Sequence, residues 1–201
     1  MKAAVMGTGE VGSAIATKLK ELGYEVVFGS RQPGAPKSGI LVMSHAEAVS
    51  QADWIFNAMH GEDAVAVLGE LDVNGKLLVD FGNFQSAIDG PLHHTLGEVL
   101  QRTLPGTKVV KAMNFPSAQL MGHPERLAKH QSVFVAGNDA FARAEVAQLL
   151  KEFGWHDVVD LGDLTACRAM ESLAPMWVRL NKQLGHVWFN LSVVRDADAA
   201  N

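Results

Sequence analysis

The chain has 201 residues, 48% hydrophobic and 19% charged, with a formal charge of −5 at pH 7. These values exclude a disordered chain and argue against a general nucleic-acid binder, and the length suits a nucleotide-binding domain with a helical extension. Cys167 is the one cysteine, which excludes an intrachain disulfide, and no apolar run approaches the roughly 18 residues of a membrane span.

Residues 1–6 read as a short buried strand that breaks into Gly7-Thr8-Gly9-Glu10-Val11-Gly12. Residues 11–22 then carry Val11, Ile15, Leu19 and Leu22 at helical spacing. Glycines between a strand and a helix are the context of a dinucleotide fingerprint. Gly7 allows the tight turn, Gly9 lets backbone approach a pyrophosphate, and Gly12 lets the helix pack closely. Unpaired N–H groups and the helix dipole favour the anion there. The second strand, 24–28, delivers no carboxylate for a ribose 2′-hydroxyl; Gly29-Ser30-Arg31 follows instead. A guanidinium beside a hydroxyl suits a 2′-phosphate, so NADP is the expected coenzyme. Lys37 is either a second cation for that phosphate or a solvated loop lysine.

Residues 32–39 read as a Gly/Pro loop and 40–43 as a strand, with Ser44 and Glu47 forming a capping box for a helix over 45–50. A strand over 53–58, a helix over 63–71 and a strand over 76–81 follow, the last after an Asn74-Gly75 turn. Residues 82–90 read as irregular, 92–104 as helix, 108–113 and 132–136 as strands, and 117–121 as a short helix. Asp139 caps a helix over 140–153, and 156–161 is a last strand. This alternation predicts an α/β, Rossmann-type, doubly wound and mostly parallel sheet over 1–162. Residues 163–201 read as a C-terminal helical extension, purely helical over 163–194 and broken near Pro175. Leu173, Met176, Trp177, Leu180, Leu184, Trp188, Leu191 and Val194 form one stripe, which predicts a homodimer face ahead of packing on its own domain, with a second-ligand face as the other alternative.

Five segments recur in order: Gly7 to Gly12, Gly29-Ser30-Arg31, Lys111-Ala112-Met113-Asn114, Ala136-Gly137-Asn138-Asp139 and Glu171-Ser172-Leu173-Ala174-Pro175. On these the chain resembles the NADP:deazaflavin (coenzyme F420) oxidoreductases, a family related to the cytosolic reductase domains of membrane ferric reductases. The resemblance implies hydride transfer between NADP and a stacked flavin or deazaflavin. It implies that Thr8, Gly9, Glu10 and Val11 wrap the pyrophosphate and that Ser30 and Arg31 hold the 2′-phosphate. Met59-His60 and Ala112-Met113-Asn114 would flank the nicotinamide. Where that family often has Asn-Pro, this chain has Asn83-Phe84, which points to a remodelled acceptor side. The membrane half of the ferric reductases is not in this sequence.

Ring-to-ring hydride transfer asks for orientation and exclusion of water more than acid–base chemistry. His60 therefore either contacts the cofactor or donates a proton, or is an ordinary loop histidine. Asn114 either binds a carboxamide or begins a turn before Pro116. Lys111 either protonates an imine or ketone or pairs with a carboxylate. Glu171 and Arg168 read as interface ion-pair residues. His93-His94 have no further ligands at metal spacing, so no metal is expected. Two other functions compete: an NADPH-dependent reductase of a small carbonyl or imine, and a non-catalytic NADP-binding sensor. The apolar stretch after Lys2 is too short for a signal peptide, so a cytoplasmic location, with no membrane or nucleic-acid partner, is the expectation.

Overall fold

Four of the five residues of β1 (Lys2–Met6) are buried, as a strand covered on both faces requires. In the computed structural model, which describes residues 1–196, β1 leads into α1 (Glu10–Glu21), β2 (Glu25–Ser30), β3 (Gly34–Lys37) and β4 (Ile40–Ser44). Then come α2 (His45–Ser50), β5 (Trp54–Asn57), α3 (Gly61–Gly69), β6 (Leu77–Asp80), α4 (Ser86–Asp89), α5 (Leu96–Thr103) and β7 (Lys108–Ala112). The chain ends with α6 (Ala118–Met121), β8 (Ser132–Gly137), α7 (Ala140–Glu152), β9 (Asp157–Asp160), α8 (Cys167–Glu171) and α9 (Leu173–Leu184). The last five residues of the extension expected over 163–201 lie outside the described residues.

The strands form a nine-stranded sheet in the order β3-β4-β2-β1-β5-β6-β7-β8-β9. β1 runs parallel to β2 and β5, with Ala3 opposite Val26 and Trp54. Among the described residues, antiparallel pairing is confined to β3 on β4 and β8 on β7. The chain steps from β1 outward to β4, then crosses to β5 on the other side of β1. An open α/β sheet binds its ligand at such a reversal, outside the carboxyl ends of the strands.

Alternate residues of β1 serve opposite faces. Ala3 and Val5 pack in one core with Ile15 and Leu19 of α1 and Val146 and Leu149 of α7. Ala4 and Met6 pack in another with Leu68 of α3, Leu100 of α5 and Met170 of α8. The Ser44–Glu47 capping box forms, and Asp139 accepts from the Ala142 amide at 2.8 Å.

Three sequence expectations are corrected. The loop expected over 32–39 contains β3, which hairpins back onto β4, and the irregular stretch 82–90 contains the single turn α4. The extension is not helical to 194: α9 stops at Leu184, where Gly185 adopts φ 71° and its amide bonds Asn181 O. Glycine takes that left-handed conformation without a Cβ penalty, so the helix ends there. Residues 186–196 then form a strap tied to the first residue of β8, with Ser132 N bonded to Leu191 O at 3.0 Å and Val193 N to Ser132 Oγ at 2.8 Å. Trp188, Leu191 and Val194 therefore share no helical stripe with Leu173. The break expected near Pro175 is present, although Pro175 itself does not cause it. It sits in the first turn of α9, where its missing N–H costs nothing, and the break falls at Ser172.

Candidate active site

Where β1 ends, Gly7 takes φ 106° and its amide bonds Gly29 O at 3.0 Å. A Cβ at Gly12 would stand 2.0 Å from the Gly7 carbonyl oxygen, whereas one at Gly9 would enter open space. The turn and the helix packed on it thus impose Gly7 and Gly12, and Gly9 leaves bare backbone facing a cleft. That cleft, of about 620 Å³, is walled by Gly7, Thr8 and Gly9 on one side and by Ser30, Arg31 and Gln32 on another. His45 of α2 and Met59, His60 and Asp63 around the start of α3 complete its walls. The Ser30 hydroxyl accepts from the Gln32 amide at 3.1 Å, which leaves its own proton to donate. Lys37 donates to the carbonyl oxygen of Thr8, so its ammonium sits at the glycine turn. Burial holds the half-buried His45 imidazole below its usual pKa, and the Arg31 charge lowers it further.

Beneath the strand ends lies a buried ionic cluster. Lys111 Nζ meets Asp80 Oδ2 at 2.8 Å and Glu171 Oε1 at 3.0 Å, and all three side chains are at most 1% exposed. It also donates to the Gly82 carbonyl. Asn57 donates to Asp80 at 2.7 Å, and Glu171 accepts the amides of Leu96 and Gly97 at 2.8 and 3.1 Å. Burial alone would lower the Lys111 pKa; the two carboxylates outweigh it and hold the ammonium above its usual value. Lys111 is thus a paired lysine without a path to substrate. Glu171 turns inward to this pair rather than to an interface, and Arg168 bonds the Leu92 carbonyl at 3.2 Å. Glu171 departs from the expectation because α8 packs against α5, whose first amides it accepts.

A second, mostly apolar pocket of about 320 Å³ opens where the glycine turn passes into α1. Glu10 and Val11 wall it from α1, Phe81 and Asn83 from the end of β6, Asn114, Phe115 and Ser117 from the end of β7, and Trp177 from α9. Phe189 of the strap stands 5.7 Å from Trp177 and 6.4 Å from Phe115, centroid to centroid. Two of its polar atoms, Ser117 Oγ and Trp177 Nε1, are buried without a hydrogen-bond partner. Such groups are costly unless something pairs with them.

The cleft brings together Gly7, Thr8, Gly9, Ser30, Arg31, Met59 and His60, and the pocket brings together Glu10, Val11 and Asn114. Gly12 is spent on helix packing. Ala112 and Met113 are buried and wall neither cavity, and Met113 holds a left-handed φ of 43° that redirects the chain. Asn114 Nδ2 donates to Asn83 Oδ1 at 3.2 Å and to Met170 O at 2.8 Å, so its amide hydrogens are committed to tying the loops together. The Asn83-Phe84 departure has a packing counterpart: a Cβ at Gly61 would come 2.9 Å from the Phe84 ring. His45, Gln32, Asp63 and Ser117 were not legible in the sequence, whereas Trp177 lies on the stripe expected as a dimer or second-ligand face. Only the first three carried a local signal, their closeness to strand ends.

A family model described as NADP oxidoreductase, coenzyme F420-dependent, matches residues 2–84. The chain is 29% identical over 205 residues to the human metalloreductase STEAP2, covering 96% of this chain and 41% of that protein. It thus spans about two-fifths of the length of the curated metalloreductases it matches. It is 23% identical over 208 residues to the F420-dependent NADP reductase of Methanocaldococcus jannaschii, covering 90% of this chain and 92% of that protein. The crystal structure of a candidate F420-dependent NADP-reductase from Arthrobacter sp. FB24 superposes with a TM-score of 0.89 at 40% identity, covering 97% of this chain and 100% of the other. Among the described residues no helix is long and apolar enough to cross a membrane.

Proposed function

We propose that this chain, which belongs to the family of coenzyme F420-dependent NADP oxidoreductases, passes hydride between NADP(H) in the cleft and a flavin or deazaflavin ring in the second pocket. Membership makes it an NADP-dependent oxidoreductase; the acceptor and the residues that hold it are our reading. The observation that carries it is that consecutive residues at the start of α1 wall two separate cavities. Gly9 walls one, and Glu10 and Val11, the next two residues and the first of α1, wall the other.

The open backbone at Gly9 and the guanidinium at the end of β2 fit a dinucleotide with a 2′-phosphate. Gly7, Thr8 and Gly9 with the start of α1 would hold the pyrophosphate, Ser30 and Arg31 the 2′-phosphate, and Met59 and His60 the nicotinamide ribose. The nicotinamide supplies or accepts the hydride when bound. Ser117 and Trp177 would donate to carbonyl oxygens of the second ring, and Phe115 and Trp177 would exclude water from it. Asn114 acts by holding the loops at the ends of β6 and β7 in register. Residues 1–162 would form the coenzyme unit and the segment from 163 onward the acceptor face. The exposed Met176, Val178, Leu184 and Trp188 support a homodimer through that segment.

An imine or carbonyl reductase would need a proton donor facing its substrate. Lys111, fully buried between two carboxylates, counts against that reading. The test is NADPH oxidation with a panel of flavins and a deazaflavin. One of them should accelerate it, and Trp177→Leu should raise KM for that acceptor while leaving NADPH binding intact. Tight NADPH binding with no turnover on any ring would remove the acceptor assignment. An NADPH-dependent change in dimerisation in that case would favour the sensor.

A further inference from the structure

We propose that His45 is a second ligand of the coenzyme's 2′-phosphate beside Arg31, and that its imidazole takes up a proton as the phosphate binds, so that the preference for NADPH over NADH depends on pH. This rests on the NADP reading and adds to it a residue and a sign.

His45 is the first residue of α2, and the Ser44–Glu47 capping box fixes the backbone there. Its ring lies over Gly29 of β2: a Cβ at Gly29 would come 3.2 Å from His45 Cδ2 and 2.7 Å from Met6 Sδ. The missing side chain at Gly29 therefore makes the slot that the imidazole fills. From that slot the ring walls the same cleft as Ser30 and Arg31. Its backbone is set by one element and its ring by another, so it reaches the cleft with little freedom to lose on binding.

The charges around the ring decide its protonation. Arg31 follows β2 directly, and its repulsion acts on the imidazolium. Glu47, on α2 itself, is occupied by the Ser44 amide and hydroxyl. Glu25 of β2 and Lys2 of β1 lie at the far ends of their strands, 4.0 Å from each other. β4 carries no titratable side chain, and α3 presents Asp63 and the adjacent His60 to the same cleft. In the free protein the ring is accordingly biased toward the neutral form. A dianionic phosphate beside Arg31 reverses the sign of the local field and favours the imidazolium. The bound state then holds more protons than the free state. NADPH affinity rises as pH falls through the interval between the two imidazole pKa values, and NADH affinity does not. The phosphate's own ionisation near about pH 6 works in the opposite direction, but it is common to parent and variant and cancels between them.

Calorimetric titration of NADPH and NADH into the parent, His45→Gln and Arg31→Ala, in buffers of different ionisation enthalpy, measures affinity and proton uptake together. The parent should take up more protons with NADPH than His45→Gln does, and the two should not differ with NADH. His45→Gln should also bind NADPH about tenfold more weakly, with NADH within about twofold. If Arg31→Ala removes the coenzyme preference while His45→Gln keeps both preference and uptake, the assignment to His45 is overturned and the NADP reading stands. If neither variant alters the preference, both fall together. The His45 imidazole titration in the parent, followed by NMR, does not depend on variant folding: its pKa should rise on adding NADPH, and an unchanged value overturns the proposal.

Discussion

Replacing Lys111 with methionine, an apolar side chain of similar length, isolates the buried cluster at the strand ends. The change removes a cation that meets Asp80 at 2.8 Å and Glu171 at 3.0 Å, both essentially unexposed. Breaking a buried pair by deleting one partner typically costs about 3–5 kcal/mol. Here each carboxylate keeps two donors, Asp80 from Asn57 and Gly82 and Glu171 from Leu96 and Gly97. That places the loss toward the lower end, about 3 kcal/mol. For a chain of this size it lowers Tm by roughly 6–12 °C. The deficit should be present at about pH 7.5 and at about pH 5, because deleting the cation strands two buried carboxylates. Urea and thermal unfolding of both proteins at the two pH values measure this. A variant within about 1 kcal/mol of the parent at both pH values would refute the view that the cluster carries structure. Unchanged stability with lost turnover would instead make Lys111 a proton donor.

The remaining predictions concern the coenzyme turn and the thiol. Arg31→Ala should weaken NADPH binding by about 1.5–3 kcal/mol, one charge-assisted phosphate contact, with NADH affinity barely altered; equal weakening of both by fluorescence titration contradicts the 2′-phosphate assignment. Gly12→Ala drives a Cβ to 2.0 Å from the Gly7 carbonyl, so the turn must open and coenzyme affinity should fall by at least about tenfold. Unaltered binding would mean that the turn is soft. Burial pushes the Cys167 thiol up to about 12, three units above its ordinary value of 9.0. Its thiolate fraction at neutral pH, and its alkylation rate, should be roughly a thousandfold below those of the unfolded chain. Because the folded pKa is raised, the native state holds the proton longer. This group therefore removes stability as pH climbs from about 9 toward 12 and contributes none of that loss below.

What the residues determined alone is what depends on neighbours a few positions apart. The glycines between β1 and α1, the absence of a carboxylate where β2 ends, and the Ser44–Glu47 and Asp139 caps all act within a turn or two. Each was legible because backbone conformation and capping are local. Tertiary structure decided which distant groups meet. Lys111 offered both chemistry and pairing as readings, and only the packing of α8 brought Glu171 to it. His45 looked like the start of a helix until the empty face of Gly29 received its ring. The apolar stripe from Leu173 to Val194 kept helical spacing on paper, yet Gly185 ends α9 and Ser132 draws the strap onto β8. Periodicity records which faces need covering; it cannot name the cover, because burial energy is non-directional and partners are selected by the closed sheet as a whole.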